Sequence, residues 1–431
     1  MSNLNDELRQ LADEAARQAR ALPVAEVIRQ GDRRTAIWWP SGGARAPRAA
    51  TQARPGHCWP GWVAPLAAAG AVVAVVAGTA TVSSTLHGPR VTGGVGLAHG
   101  TTVYVLNVEA VTPVRTATNT PGKPIKVGNE PLAIAITPDG KTAYVTNGVP
   151  ASVTPIRTAT NKALPPIKTG STPTAIAITP DGETAYVVNS SDSGTVTPIH
   201  IATNTALPRI KVGRLPRAIA ITPDGKTAYV ADSNSTKVTP IQIATNKALP
   251  PIKTGHAPAA IAITPDGKTA YVANSASGTV TPIRTATNTA LPPIKVGGDP
   301  LAIAITPDGK TVYVVNQDSD TVTPIRTATN TALPPIKTGR LPQAIAITPD
   351  GKTAYVGNNT AGTVTPIQIA TNTALPPIKT GGNPFAIAIT PDGKTAYVSL
   401  VSAGVIPIRT ATNTALPGIK TGYSSAIAIT P

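Results

Sequence analysis

The sequence holds one cysteine, Cys58, so no intrachain disulfide can form and no cysteine cluster can hold zinc. Aromatic residues are 3% of the chain, which leaves little for a platform that stacks nucleic-acid bases. The five histidines, His57, His87, His99, His200 and His256, stand at no metal-ligand spacing. No Ser/His/Asp or Cys/His set can be assembled from these residues, and no metal or cofactor is implied. Charged residues are only 13%, too few for a chain kept unfolded by its charge.

What is present is proline and glycine, 45 and 37 among 431 residues, beside 41% hydrophobic residues. That much Pro and Gly suggests low complexity, but the apolar fraction can fill a core. Punctuation of short apolar runs by Pro and Gly reads as many short strands joined by tight turns. The formal net charge of +16 favours polyanions or anionic surfaces without naming one.

Three segments follow one another. Residues 1–34 are polar and Ala/Arg-rich, with Leu8, Leu11, Ala12, Ala15, Ala16 and Ala19 at helical spacing behind a candidate cap, Asn5. Residues 35–61 mix Pro, Gly and Arg and read as a linker. Residues 62–82, WVAPLAAAGAVVAVVAGTATV, carry no charge and are long enough to span a bilayer; a buried core helix is the alternative. Arg45, Arg48 and Arg54 precede the run closely, so the positive-inside rule puts the N-terminus in the cytoplasm and the remainder outside. The Gly-Thr-Ala near its end leaves a cleaved, released form open. Residues 83–94 read as a second linker.

From about residue 95 to 431 the chain repeats. A Tyr-Val step falls at Tyr104, Tyr144, Tyr186, Tyr229, Tyr271, Tyr313, Tyr355 and Tyr397, at a spacing of 40 to 43 residues. Such a period means a helical solenoid or a propeller. Proline decides: one unit, residues 258–299, holds Pro258, Pro265, Pro282, Pro292 and Pro293, which two antiparallel helices could not absorb. Four short strands could. Residues 259–264 read as the innermost strand, PDGK as its turn, 269–274 as the second strand, 279–287 as the third and 291–297 as the outer rim. Pro and Lys suit an exposed edge strand. Pro282, inside the third strand, predicts a bulge or local break.

The stretches PDGKTAYVTN, V-x-P-I-x-T-A-T-N and I-K-x-G-x-x-P resemble the YVTN β-propeller repeat of bacterial YncE-like and archaeal surface-layer propellers. The resemblance covers residues 95–431 and implies an all-β propeller of four-stranded antiparallel blades in an extracytoplasmic setting. The family often has an acid after the third strand's Ile; here that position holds Arg157, His200, Gln242, Arg284, Arg326, Gln368 or Arg409, so no role of that acid carries over. Each strand type occurs eight times, which predicts eight blades, with the family's more usual seven as the alternative. The repeat opens on a second strand (101–107) and closes on a lone innermost strand (424–431), so the C-terminal strand should close the ring, with Val95 to Leu97 as a weaker competitor.

The TPDG turns supply Asp139, Asp181, Asp224, Asp266, Asp308, Asp350 and Asp392, which read as turn formers rather than as acid/base or metal carboxylates. Cys58 reads as an inert thiol, with acylation beside the membrane as the alternative. The turns from the innermost to the second strand and from the third strand to the rim hardly vary, whereas the loops from the second to the third strand and from the rim to the next innermost strand do. Alternating strand directions put both variable loop sets on one face, the candidate binding face; simple drift after duplication is the competing reading. Candidate binding residues there are Glu130, Arg214, Arg217, His256, Asp299, Arg340, Gln343, Asn383, Phe385 and Tyr423, with Arg217, Gln343 and Phe385 at the rim of the central channel. Arginine at that rim suits carboxylate or phosphate groups. The leading expectation is a membrane-anchored extracytoplasmic binding or scaffold module for a protein, cell-envelope polymer or other anionic partner, without specific nucleic-acid recognition. The alternative is a propeller enzyme, lactonase-like or a dehydrogenase-type subunit, with its site at the channel mouth.

Overall fold

The computed structural model describes residues 100–431, and these form eight antiparallel sheets arranged as the blades of a propeller. Blade 5 shows the plan. Its innermost strand is Pro258–Ile263, its second Thr269–Asn274 and its third Thr279–Arg284. The rim is two short pieces, Thr289–Ala290 and Ile294–Lys295, both paired to the third strand. The helical segment, the 62–82 run and Val95 to Leu97 expected from the sequence of residues 1–99 lie outside the described residues. Among the described residues no helix is long and apolar enough to cross a membrane.

The rim differs from the single strand expected, and Pro282 from the break expected. Pairing of the second and third strands runs without a register shift, Tyr271 opposite Pro282. The N–H and C=O of one strand residue point to the same side. The Pro282 carbonyl accepts from Leu291 N–H at 2.8 Å, on the rim side, so the N–H that proline lacks would also have pointed there. The ladder to the second strand therefore loses nothing. The interruption falls instead on the rim, at Pro292 and Pro293, which have no N–H to give.

The ring closes through its termini. Ile427–Ile429 is the innermost strand of blade 1 and pairs with Thr102–Leu106, Tyr104 opposite Ala428. Eight hydrophobic clusters, one per blade interface, fill the spaces between sheets. Between blades 5 and 6, Ala260, Ala262 and Tyr271 meet Ile303, Val312 and Val314. Both faces of the inner strands are thus buried, which explains their unbroken apolar sequence.

A second ring ties the blades together. Tyr104 Oη donates to Asn161 Oδ1 of the next blade, and the same bond, 2.6–2.8 Å long, starts from every Tyr of the Tyr-Val steps. Each accepting Asn sits in a third-strand-to-rim turn at φ 52–55°, a left-handed conformation that asparagine tolerates well. Burial pushes the tyrosine hydroxyls up to about 12. The turn sequence A-T-N, present in all eight copies, thus carries an inter-blade latch as well as a reversal of the chain.

Candidate binding face

The uniform face has no converging chemistry. In each TPDG turn the carboxylate is held locally: Asp139 Oδ1 accepts from Thr137 Oγ1 at 2.6 Å and from Lys141 N–H at 3.0 Å, and the Lys141 ammonium lies 3.2 Å away. Partial burial pushes Asp139 up, but these three partners outweigh it and its carboxyl stays below the usual range. Asp224, Asp266, Asp308 and Asp350 behave alike. The aspartates are turn formers, as their sequence context predicts.

The opposite face is built by the second-to-third-strand and rim-to-innermost-strand loops, and hydrogen bonds between them fix its geometry. The residue before each strand-opening proline in blades 2 to 7, from Glu130 to Leu341, adopts φ of 45–53°. In blades 3 to 7 its carbonyl accepts the N–H just past the second strand, as Asp299 O does from Gln317 N at 3.0 Å and Ala257 O from Ser275 N at 2.9 Å. Gly255 lies so close to Asn274 that a Cβ would stand 2.9 Å from its side chain. The varied residues are therefore mounted on a fixed frame.

Immediately after the proline the register shifts, Pro258 pairing with Asn274 but Ala260 with Ala273, so one residue is left over in each inner strand. Such a bulge re-aims a side chain. The extra residues of blades 2 to 8 are Leu132, Thr174, Arg217, Ala259, Leu301, Gln343 and Phe385. The three expected at the channel rim are all among them. Phe385 is 4% exposed and packs with Val103 and Tyr397 into the interface of blades 8 and 1, which makes it a core residue rather than a contact surface.

Arg217 has a buried Nε without an acceptor. Burial lowers its pKa, opposed by the charge of Asp299 two blades on. Burial likewise raises the Asp299 carboxyl, with Asp318 adding to the shift and Arg217 working against it. Gln343 is 7% exposed. Thr174 Oγ1, one blade before Arg217, is also buried without a partner. Arg217 and Thr174 thus each keep a buried polar atom without a partner, and Arg217 and Asp299 feel each other's charge.

The other candidates stand apart. Arg214 is engaged by Asp192 at 2.8 Å, both side chains largely in solvent. His256 is exposed, its backbone N–H donating to Ser277 Oγ at 2.6 Å. Glu130, Arg340 and Asn383 are exposed, and Tyr423 is half-buried. Among the described residues no three of His, Cys, Asp or Glu come together to hold a metal.

Two residues escaped the sequence reading. Thr174 is one; it is simply the blade 3 occupant of the varied bulge position. Asp232 is the other. It replaces the Asn that ends the second strand in most copies, and Lys237 replaces the Thr or Ser opposite. Asp232 is 1% exposed, and burial pushes it up to about 6 although Thr239 Oγ1 and Gly213 N–H both donate to it. The paired departure from the repeat is the signal that could have found it.

Comparisons with known proteins agree on the fold. A family model described as lactonase, 7-bladed beta-propeller, matches residues 134–252 and 242–338. No curated protein matches the sequence. Among solved structures, hydrazine synthase from Kuenenia stuttgartiensis is similar at 27% identity and a TM-score of 0.55, over 65% of this chain and 96% of that one. The dihydro-heme d1 dehydrogenase NirN, solved in complex with DHE, has a TM-score of 0.66 at 14% identity, over 76% of this chain and 74% of its own. A protein of unknown function from Desulfotomaculum acetoxidans has a TM-score of 0.54 at 18% identity, over 76% and 98% of the two chains. The chain is a β-propeller of eight blades whose repeats are similar to those of a family described with seven.

Proposed function

We propose that the protein is a binding module whose variable face receives a partner carrying a carboxylate or phosphate, with Arg217 as the anchor. The supporting observation is the buried Arg217 Nε that lacks an acceptor, in a guanidinium whose one resolved charge partner is Asp299. A buried guanidinium left short of acceptors costs stability, and an anionic ligand group would supply what is missing. In this reading residues 62–82 anchor the chain in a membrane, N-terminus inside, and the propeller meets extracytoplasmic proteins or cell-envelope polymers. The test is a thermal-shift and titration screen of the full chain against carboxylates, phosphate esters and cell-wall fragments, repeated on Arg217→Leu. A ligand that binds the parent protein but not the variant supports the reading; ligands indifferent to the substitution reject it.

A second reading is a lactone-hydrolysing enzyme, favoured by the lactonase family match. It would draw on Asp299, whose carboxyl burial and the charge of Asp318 raise above the ordinary carboxylate value. Incubation of the full chain with a panel of lactones decides it. Turnover lost in Asp299→Asn supports the enzyme, and no turnover of any lactone ends it.

A further inference from the structure

The third strands, their turns and the rim strands make the side wall of the propeller: residues 110–126, 152–168, 195–211, 237–253, 279–295, 321–337, 363–379 and 404–420. Of 27 Lys and Arg in the described residues, 18 lie in these segments, and none of the 15 Asp and Glu does. All 18 are exposed. The seven ion pairs among the described residues, six in TPDG turns and one between Arg214 and Asp192, all lie elsewhere. The cations of the wall therefore keep their full field, whereas those of the uniform face are largely neutralised by a neighbour.

Edge protection explains part of this. Every rim ends in an Ile-Lys pair, from Lys126 to Lys420, and a lysine there blocks sheet-to-sheet pairing. It does not explain the additions. Lys123, Lys162, Arg209, Lys237 and Lys247 each depart from the residue usual at their repeat position, and each departure adds a cation. They fall on blades 1, 2, 3 and 4 in succession, so that half of the ring carries 11 wall cations and the other half 7.

We propose that the wall of blades 1 to 4 is a docking arc for a flexible, linear phosphate polymer. Independently of the variable face, three features select this partner. The arc is convex and spans half the ring, so a flat membrane would touch it along a line while a flexible chain can follow it. The cations lack counter-charges, so each can release condensed counterions from a polyanion. The wall has no Phe, Tyr or Trp and a single His, His200, so it offers bases almost nothing to stack on and favours a polymer without them.

The experiment compares two triple variants of the full chain with equal loss of charge. One restores the repeat residues on the arc, Lys162→Thr, Arg209→Pro and Lys247→Thr; Lys237 is kept because it faces Asp232. The other neutralises ion-paired lysines of the uniform face, Lys141→Gln, Lys226→Gln and Lys268→Gln. Melting curves establish that both fold. With long-chain inorganic polyphosphate as probe, the arc variant should bind about tenfold more weakly with a shallower salt dependence, and the face variant should change less than about twofold. Equal losses would mean attraction to net charge alone and would overturn the arc. So would equal competition by orthophosphate at matched phosphate concentration, or tighter binding of single-stranded DNA at matched charge.

Discussion

Tyr397 and Asn119 lie 278 positions apart in the chain, and the tyrosine hydroxyl donates to the asparagine carbonyl oxygen at 2.6 Å. This bond joins the last blade to the first and is the same bond that joins every other neighbouring pair. Replacing Tyr397 by Phe removes the donor and leaves Asn119 Oδ1 short of a partner, at a cost of about 1–2 kcal/mol. Tyr229→Phe, within the ring, should cost the same. Urea denaturation of both variants checks this, and a much smaller loss at Tyr397 would show that the seam is a looser joint than the rest.

The tyrosines also predict how the protein fails in alkali. An unfolded tyrosine ionises near pH 10, whereas the folded ones are held at about 12. The folded state then binds more protons than the unfolded one, so stability present below pH 10 is lost as pH rises toward 12. Eight such groups should make unfolding steep. Tyrosinate absorbance and loss of strand signal should rise together in one transition; tyrosinate forming in an intact propeller would contradict the latch.

Asp232 gives the opposite experiment near neutrality. Its folded pKa of about 6 exceeds the unfolded 3.8, so the buried charge weakens the fold as pH rises from 4 through 6. Asp232→Asn restores the repeat's own amide, which could donate to Thr239 as Asn274 does to Thr281 at 3.0 Å. The variant should gain up to about 3 kcal/mol at pH 7.5 and nothing at pH 3.5. Melting temperatures at the two pH values test both sign and size.

Arg217→Leu places at blade 4 the residue that blades 2 and 6 already carry as Leu132 and Leu301. Removing a buried polar atom without a partner should hold or raise the melting temperature, while binding of an anionic partner falls by tenfold or more. A variant that loses stability would show that Arg217 serves the fold.

Deleting residues 424–431 removes the strand that pairs with Thr102–Leu106. The freed edge should lower the cooperativity of unfolding and promote aggregation, measurable by calorimetry and light scattering. Unchanged melting would refute closure through this strand.

The blade plan was legible because the repeat shows each strand type eight times over, and the order of the first and last types reveals the seam. The consequence of Pro282 was not legible, since only the register tells which side of a strand its missing N–H would face. Arg217 and Gln343 could be placed at the channel rim by counting from Pro216 and Pro342. The unpartnered Nε of Arg217 and its coupling to Asp299 two blades on depend on the packed ring, which the sequence does not display. Arg214 looked available until the fold set it beside Asp192 of the preceding blade. Asp232 was visible as a departure, but its cost follows from burial, a property of the packed sheet.

The seam also orders events on the ribosome. The first blade leaves the exit tunnel without its innermost strand, so Thr102–Leu106 presents an open edge through the synthesis of all seven others. Only when Ile427–Ile429 emerges is that edge covered. The nascent protein is therefore a string of finished blades with one sticky end, and its need for a chaperone should be greatest just before Ile427–Ile429 emerges.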